Sequence, residues 1–394
     1  MLKQVGAFVL LSLLAFHSPF LQANSTTKDA LIRFDNLGQS IELVAHAGHF
    51  KIPGQEAELQ LASRLVVKVS SEQYGHALAA RFDAVNSVAL LYQGRGFSYF
   101  LWELSSLTDM VAILEALRLD TGVLLVQPDL LQLDAARMAM TAPLSPGILA
   151  RSVSGKGSAV RIAVIDDGFV LSHPALAGVN LAFSYDTQSK SQDVSPAYPS
   201  DTHGTKVLGV LFANSQRVNG LVPDAELVAI RQPDTWTSNT LLAFQVAKLM
   251  QADVINCSWN SPWLVEPLKD VVDDLAENGR AGKGVAVLFA AGNAGKPVQE
   301  NQTEAGLASA IVIGAVDKQG NKTSFSNWGP TIDGYFYGEN QLSLDNNMKY
   351  SYFSGTSLAT ALASGYIAQL ITKKPQLSLH DIEAIVRERK LTVR

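Results

Sequence analysis

Three residues that could together activate a hydroxyl stand far apart in the chain, each at the edge of a pattern. Asp166 closes the apolar run "VRIAVID". His203 opens "HGTKVLGV". Ser357 follows Gly355-Thr356 and opens a run of small apolar residues, "SLATALASG". A serine hydroxyl is a poor nucleophile at neutral pH. It needs a base to take its proton, and the base needs a partner that fixes its tautomer. Asp, His and Ser in that chain order are one of the known arrangements that do this. A helix starting at Ser357 would add free backbone N–H groups and a positive dipole end beside a developing anion. Ala359, Ala361, Ala363 and Gly365 would keep that helix thin enough to be buried tightly. Asn293, in "LFAAGNAG" after another apolar run, carries an amide that can donate to the same anion, a contribution of about 3 kcal/mol to a barrier. The chemistry these residues suit is attack on a carbonyl.

Residues at such separations must be brought together by the fold. From residue 158 onward, nearly continuous apolar runs ("AVRIAVID", "ELVAIR", "DVINCS", "VAVLFAAG", "SAIVIGAV") alternate with helical patterns ("HGTKVLGVLFA", "NTLLAFQVAKLMQA", "PLKDVVDDLAENG"). That alternation predicts an α/β domain, a doubly wound parallel sheet covered on both faces, over 158–394. In such sheets, sites form at the carboxyl ends of the strands.

These blocks resemble those of the subtilisin-like serine peptidases, the subtilases of the S8 family. "AVIDDG" is similar to the family's aspartate block, "HGTKVLG" to its histidine block, "AAGN" to its oxyanion block and "GTSLATALASG" to its serine block. "INCSWN" resembles the substrate-binding strand, and "SFSNWGP" the segment that usually precedes the serine. The resemblance covers roughly residues 145 to 390 and implies a subtilisin-like sheet. It implies Asp166 as orienting carboxylate, His203 as general base and then acid, Ser357 as nucleophile and Asn293 as oxyanion donor. Ser258, Trp259 and Asn260 would pair with an extended peptide. The implied activity is that of an exported serine endopeptidase acting on proteins or peptides through an acyl-enzyme, without an organic cofactor. The alternative is a weakly active or inactive relative that binds peptides. A nucleotide-binding reading lacks a glycine-rich loop after the first strand, in "IDDGFVLSHP". A sedolisin-like acid peptidase would carry Glu in place of His203.

Four positions depart from the family pattern. Asp167 replaces the usual Ser or Thr, Lys206 the second His, and Ala361 and Leu362 the usual Pro and His of the serine block. Lys206, three residues after His203, would disfavour imidazolium, and Asp167 could offset it.

Ahead of this domain, residues 65–132 show the order β-α-β-β-α-β of a small α+β ferredoxin-like unit, closing on "GVLLVQPDLL". The resemblance implies a propeptide that assists folding and acts as an intramolecular inhibitor; the alternative is a permanently attached domain. Residues 133–157, with Pro143, Pro146, Gly147, Gly155 and Gly157, form the candidate linker, and the propeptide reading implies a cut in about residues 133 to 150. "ALIRFDNLGQSIELVA", within an N-terminal extension (24–64) of unassigned function, predicts a hairpin. Residues 1–23 have the positive start, short apolar run and closing small residue of a signal peptide, which implies a periplasmic or secreted protein.

Composition agrees with this reading. The chain is 47% hydrophobic and 17% charged, with a formal net charge of −5 and no basic run. That fits a folded globular protein and gives no sign of a nucleic-acid partner. No later segment is long and apolar enough for stable membrane insertion. The single cysteine, Cys257, cannot form an intrachain disulfide and reads as a buried core residue. His173, without a partner at ligand spacing, reads as structural. No metal site is legible. A structural calcium, common among subtilases, would need scattered loop ligands that spacing does not reveal.

Overall fold

The computed structural model describes residues 32–133, apart from 47 and 56, together with 157 and 159–388. The predicted signal segment and nearly all of the candidate linker lie outside the described residues.

The N-terminal part is one antiparallel sheet with two helices. Strand β1 (Ile32–Asn36) pairs with β2 (Gln39–His46) across a two-residue turn, with Asn36 opposite Gln39. β3 (His49–Lys51) links β2 to the start of β4 (Glu58–Val69). β4 is long enough to serve several partners. Its later residues pair with β6 (Phe97–Leu104), and its other edge takes β7 (Val123–Gln132). β5 (Val85–Gly94) pairs with β6 at the far side. The connections run through α1 (Glu72–Ala79) and α2 (Leu107–Arg118). Each starts at a serine whose Oγ accepts a first-turn N–H, Ser71 from Tyr74 and Ser106 from Asp109. The last four strands thus have the spatial order β7-β4-β6-β5, and the hairpin extends the same sheet beyond the ferredoxin-like unit.

The second part is built on a seven-stranded parallel sheet in the order β14-β13-β12-β11-β8-β10-β9. Its strands are β8 (Arg161–Asp166), β9 (Asn180–Asp186), β10 (Glu226–Arg231), β11 (Val254–Cys257), β12 (Ala286–Ala290), β13 (Ile311–Val316) and β14 (Gly334–Tyr337). Side chains alternate between faces along each strand, so one strand feeds two cores. Ile162 and Val164 of β8 belong to one cluster, Ala163 and Ile165 to the other. The first core is closed by α3 (His203–Phe212), α6 (Thr356–Lys373) and α7 (Leu379–Glu388). A hairpin of β15 (Gln341–Asp345) and β16 (Lys349–Phe353) leads into α6. The second core is closed by α4 (Thr237–Leu249) and α5 (Glu266–Gly282), and it continues without interruption into the N-terminal sheet.

The N-terminal sheet therefore lies on α4 and α5. Neither helix has a side-chain cap of its own at its first turn. Both caps come from the N-terminal part. Asp129 accepts from Ser238 N at 2.9 Å and from Ser238 Oγ at 2.8 Å. Asn36 Oδ1 accepts from Glu266 N at 2.7 Å, while its Nδ2 donates to Leu264 O. Farther along α5, Asp274 accepts from Tyr92 Oη (2.7 Å), Arg95 N (2.9 Å) and Lys248 Nζ (2.6 Å). Burial works against the charge of Asp274, but these bonds outweigh it and hold the carboxyl below its usual range. Asp270 likewise takes Lys68 Nζ at 2.7 Å and the Tyr99 hydroxyl.

Candidate active site

The candidate residues gather at the carboxyl ends of the parallel strands. Asp166 is the last residue of β8, which runs between β11 and β10. His203 is the first residue of α3. Both are buried, and His203 Nδ1 lies 2.8 Å from Asp166 Oδ1. The carboxylate accepts, so Nδ1 carries the proton and Nε2 of a neutral ring keeps its lone pair. Close approach of α3 to the strand end depends on Gly204. A Cβ there would lie 2.4 Å from Gly168 O and 3.0 Å from Asp166 Cβ.

Asp167 gives α3 its missing cap. Thr202 supplies no side-chain bond to the first turn, and the Asp167 carboxylate takes both N–H groups instead. His203 N reaches Oδ2 at 3.2 Å and Gly204 N reaches Oδ1 at 2.8 Å. Burial and the neighbouring Asp166 charge push the Asp167 carboxyl up to about 6. Burial pulls His203 down, but the charge and bond of Asp166 and the charge of Asp167 outweigh burial and the opposing Lys206, so its pKa lies above the usual value. Lys206 Nζ is bound by Thr202 Oγ1 at 2.6 Å and lies 3.7 Å from Asp345 Oδ2, so its charge has local partners.

Ser357 is the second residue of α6. Its hydroxyl donates to Ser258 O at 2.7 Å rather than to His203, and Ser258 Oγ donates back to Ser357 O at 3.1 Å. The His203 ring meets Phe353 edge to face at 5.5 Å, just upstream of Ser357 in the chain. Asn293 stands beside them. Its Oδ1 accepts from both Thr356 N and Thr356 Oγ1, each at 2.9 Å. A backbone N–H can only donate, so the oxygen is identified and the NH₂ end faces the other way.

Of the residues expected to bind an extended peptide, Ser258 and Trp259 are buried and Asn260 is half-buried. The Trp259 indole packs edge to face on Phe289 and donates to Ile165 O at 2.8 Å, which ties it to the end of β8. Ser261 N, just beyond, donates to Glu304 Oε2 at 2.7 Å. Glu304 is fully enclosed, and burial raises its carboxyl to about 7. Thr356, Asp167 and Glu304 have supporting contacts that spacing alone does not reveal.

Ala361 and Leu362 both lie inside an unbroken α6, buried. His173 is structural: Nδ1 accepts from Ala175 N, and Nε2 faces Lys349 O at 3.1 Å. Cys257 is buried at the end of β11. Among the described residues no group of three or more His, Cys, Asp or Glu side chains could hold a metal ion. No helix among them is long and apolar enough to cross a membrane.

Residues 157–390 match the sequence profile of the Subtilase family. The chain belongs to the subtilase family. Among similar proteins, subtilisin DY of Bacillus licheniformis is 31% identical over 235 residues, which is 58% of this chain and 82% of that protein. Subtilisin E of Bacillus subtilis (strain 168) is 32% identical over 227 residues, 56% of this chain and 57% of that protein. The major intracellular serine protease of the same strain is 30% identical over 240 residues, 57% of this chain and 71% of that protein. A solved structure of a cold adapted subtilisin-like serine proteinase superposes with a TM-score of 0.51 at 22% identity, covering 64% of this chain and 89% of that one. The fold of this subtilase is subtilisin-like, with an antiparallel α+β part ahead of it.

Proposed function

We propose that this subtilase is an exported serine endopeptidase. The observation that carries the reading is the buried Asp166–His203 pair at 2.8 Å, set at the same strand ends as Ser357 and Asn293. In the reaction, Ser357 Oγ leaves Ser258 O and passes its proton to His203 Nε2 as it attacks the scissile carbonyl. Asp166 keeps the ring in its tautomer and stabilises the imidazolium. The Asn293 NH₂ group and first-turn N–H groups of α6 receive the oxyanion. His203 then protonates the leaving amine. A water deprotonated by the same ring cleaves the acyl-enzyme. The backbone of residues 258–260 serves as an edge for an extended peptide.

The N-terminal sheet fits the role of folding aid and internal inhibitor. Gln132, its last strand residue, donates to Trp263 O at 2.7 Å and accepts from Trp263 N at 2.9 Å. Thr235 Oγ1 holds the Gln132 backbone on the other side. The chain therefore leaves Gln132 beside Trp263, in the segment that follows residues 258–260.

The bond from Ser357 Oγ to Ser258 O favours one second reading, a subtilase that binds peptides with little catalysis. One experiment separates the two. Signal-free protein and its Ser357→Ala variant are treated with a fluorophosphonate probe at neutral pH and weighed intact. The endopeptidase reading expects an adduct and loss of the N-terminal segment in the wild type alone. Absence of both in both proteins leaves the binding reading.

A further inference from the structure

We infer that Asn327 is a positioning residue that sets the aim of the Asn293 amide; the inference rests on the proposed oxyanion role of Asn293. Asn327 lies in "SFSNWGP", a segment the catalytic steps leave without a task. It makes four bonds to the backbone around Asn293, two before it and two after. Its Nδ2 donates to Ala291 O at 2.8 Å and its own N–H donates to Gly292 O at 2.9 Å. Its Oδ1 accepts from Ala294 N at 3.1 Å and from Lys296 N at 3.0 Å.

The geometry calls for this side chain. Two backbone N–H donors meet one end of the amide and a carbonyl meets the other, so a donor and an acceptor are needed on one short planar group. Aspartate would set a carboxylate oxygen against Ala291 O. Gly292 completes the fit. With φ at +98°, a Cβ added to it would lie 2.5 Å from Asn327 Nδ2. Two neighbouring bonds hold the same loop, Gly295 N to Phe325 O at 2.7 Å and Trp328 N to Lys296 O at 3.1 Å. The Asn293 side chain is thus fixed from two directions. Thr356 takes its oxygen, and Asn327 holds the backbone from which it projects. An oxyanion donor acts through placement, and a shift of about 1 Å can cost a hundredfold in rate.

A double-mutant cycle on the full chain tests this. Peptide p-nitroanilide hydrolysis is measured for wild type, Asn327→Ala, Asn293→Ala and the double variant. Each kcat is divided by the fraction of Ser357 that fluorophosphonate titrates, which removes losses due to misfolding. We expect Asn327→Ala to lower kcat by about 10- to 100-fold with KM unchanged. We expect Asn293→Ala to lower it by about 10²- to 10³-fold, a scale set by subtilisin itself. In the Asn293→Ala background, Asn327→Ala should then remove less than about threefold more. Full multiplication of the two effects, or an unchanged kcat for Asn327→Ala, overturns the positioning role and leaves the oxyanion reading intact. An unchanged kcat for Asn293→Ala removes the oxyanion reading and this inference with it. If Asn327→Ala gives no titratable protein, Asn327→Ser takes its place, and failure of both assigns Asn327 to folding alone.

Discussion

Asp167 shows what one departure from a family pattern can do. A serine or threonine could cap α3 with one oxygen; Asp167 caps it with two and adds a charge beside the Asp166–His203 pair. The raised pKa has a definite sign. An aspartate shifted from 3.8 up to about 6 favours the folded state most below pH 3.8, and this contribution is lost as pH rises through 6. The shift corresponds to about 3 kcal/mol, but an asparagine accepts from only one of the two N–H groups, and the one left unpaired offsets about 1–3 kcal/mol of it. Relative to wild type, Asp167→Asn should therefore be more stable at pH 8 than at pH 4 by up to about 3 kcal/mol, as read from melting curves at the two values. The same variant removes a charge that favours imidazolium, so the acid limb of its kcat/KM profile should move to lower pH. Asp166, His203, Ser357 and Asn293 could be singled out in the sequence because each stands at the edge of an apolar run. The four bonds of Asn327 and the cap made by Asp167 were not legible, since they join segments distant in the chain.

At the scale of elements, the strands and helices of the N-terminal unit follow from period and punctuation. Ser71 and Ser106 mark the helix starts, and Gly94-Arg95-Gly96 marks a turn. Other elements gave weaker signals. β9 is an edge strand with mostly half-exposed residues, and β15–β16 is a polar hairpin, so neither carries a clean apolar run. The caps of α4 and α5 are invisible in local sequence because Asp129 and Asn36 are distant from the helices they serve. Asp129→Ala should cost about 3 kcal/mol or more, because it also leaves Arg64, 2.7 Å away, without its carboxylate, and Asn36→Ala about 1 kcal/mol. Hydrogen exchange should quicken in the first turn of α4 for the former and of α5 for the latter, with the other helix unchanged.

At the scale of the whole molecule, the N-terminal sheet and the parallel sheet share one apolar core, and buried carboxylates stud their junction. The depressed pKa of Asp274 makes the junction sensitive to acid. Its contribution is present above about pH 4, the ordinary range of the group, and is lost as pH falls through the lower folded value. Limited proteolysis across the junction should stay slow from pH 8 down to 5 and accelerate below 4. Tyr92→Phe, which removes one of the four donors to Asp274, should shift that acceleration toward higher pH.

Cys257 offers a clock. It is the only thiol in the chain, it lies fully enclosed at the end of β11, and the next residue holds the Ser357 hydroxyl. An alkylating reagent can reach that sulfur only when the strand end comes apart. Labelling at a single mass increment therefore counts openings of the catalytic half, with no engineered probe and no second thiol to confuse the record.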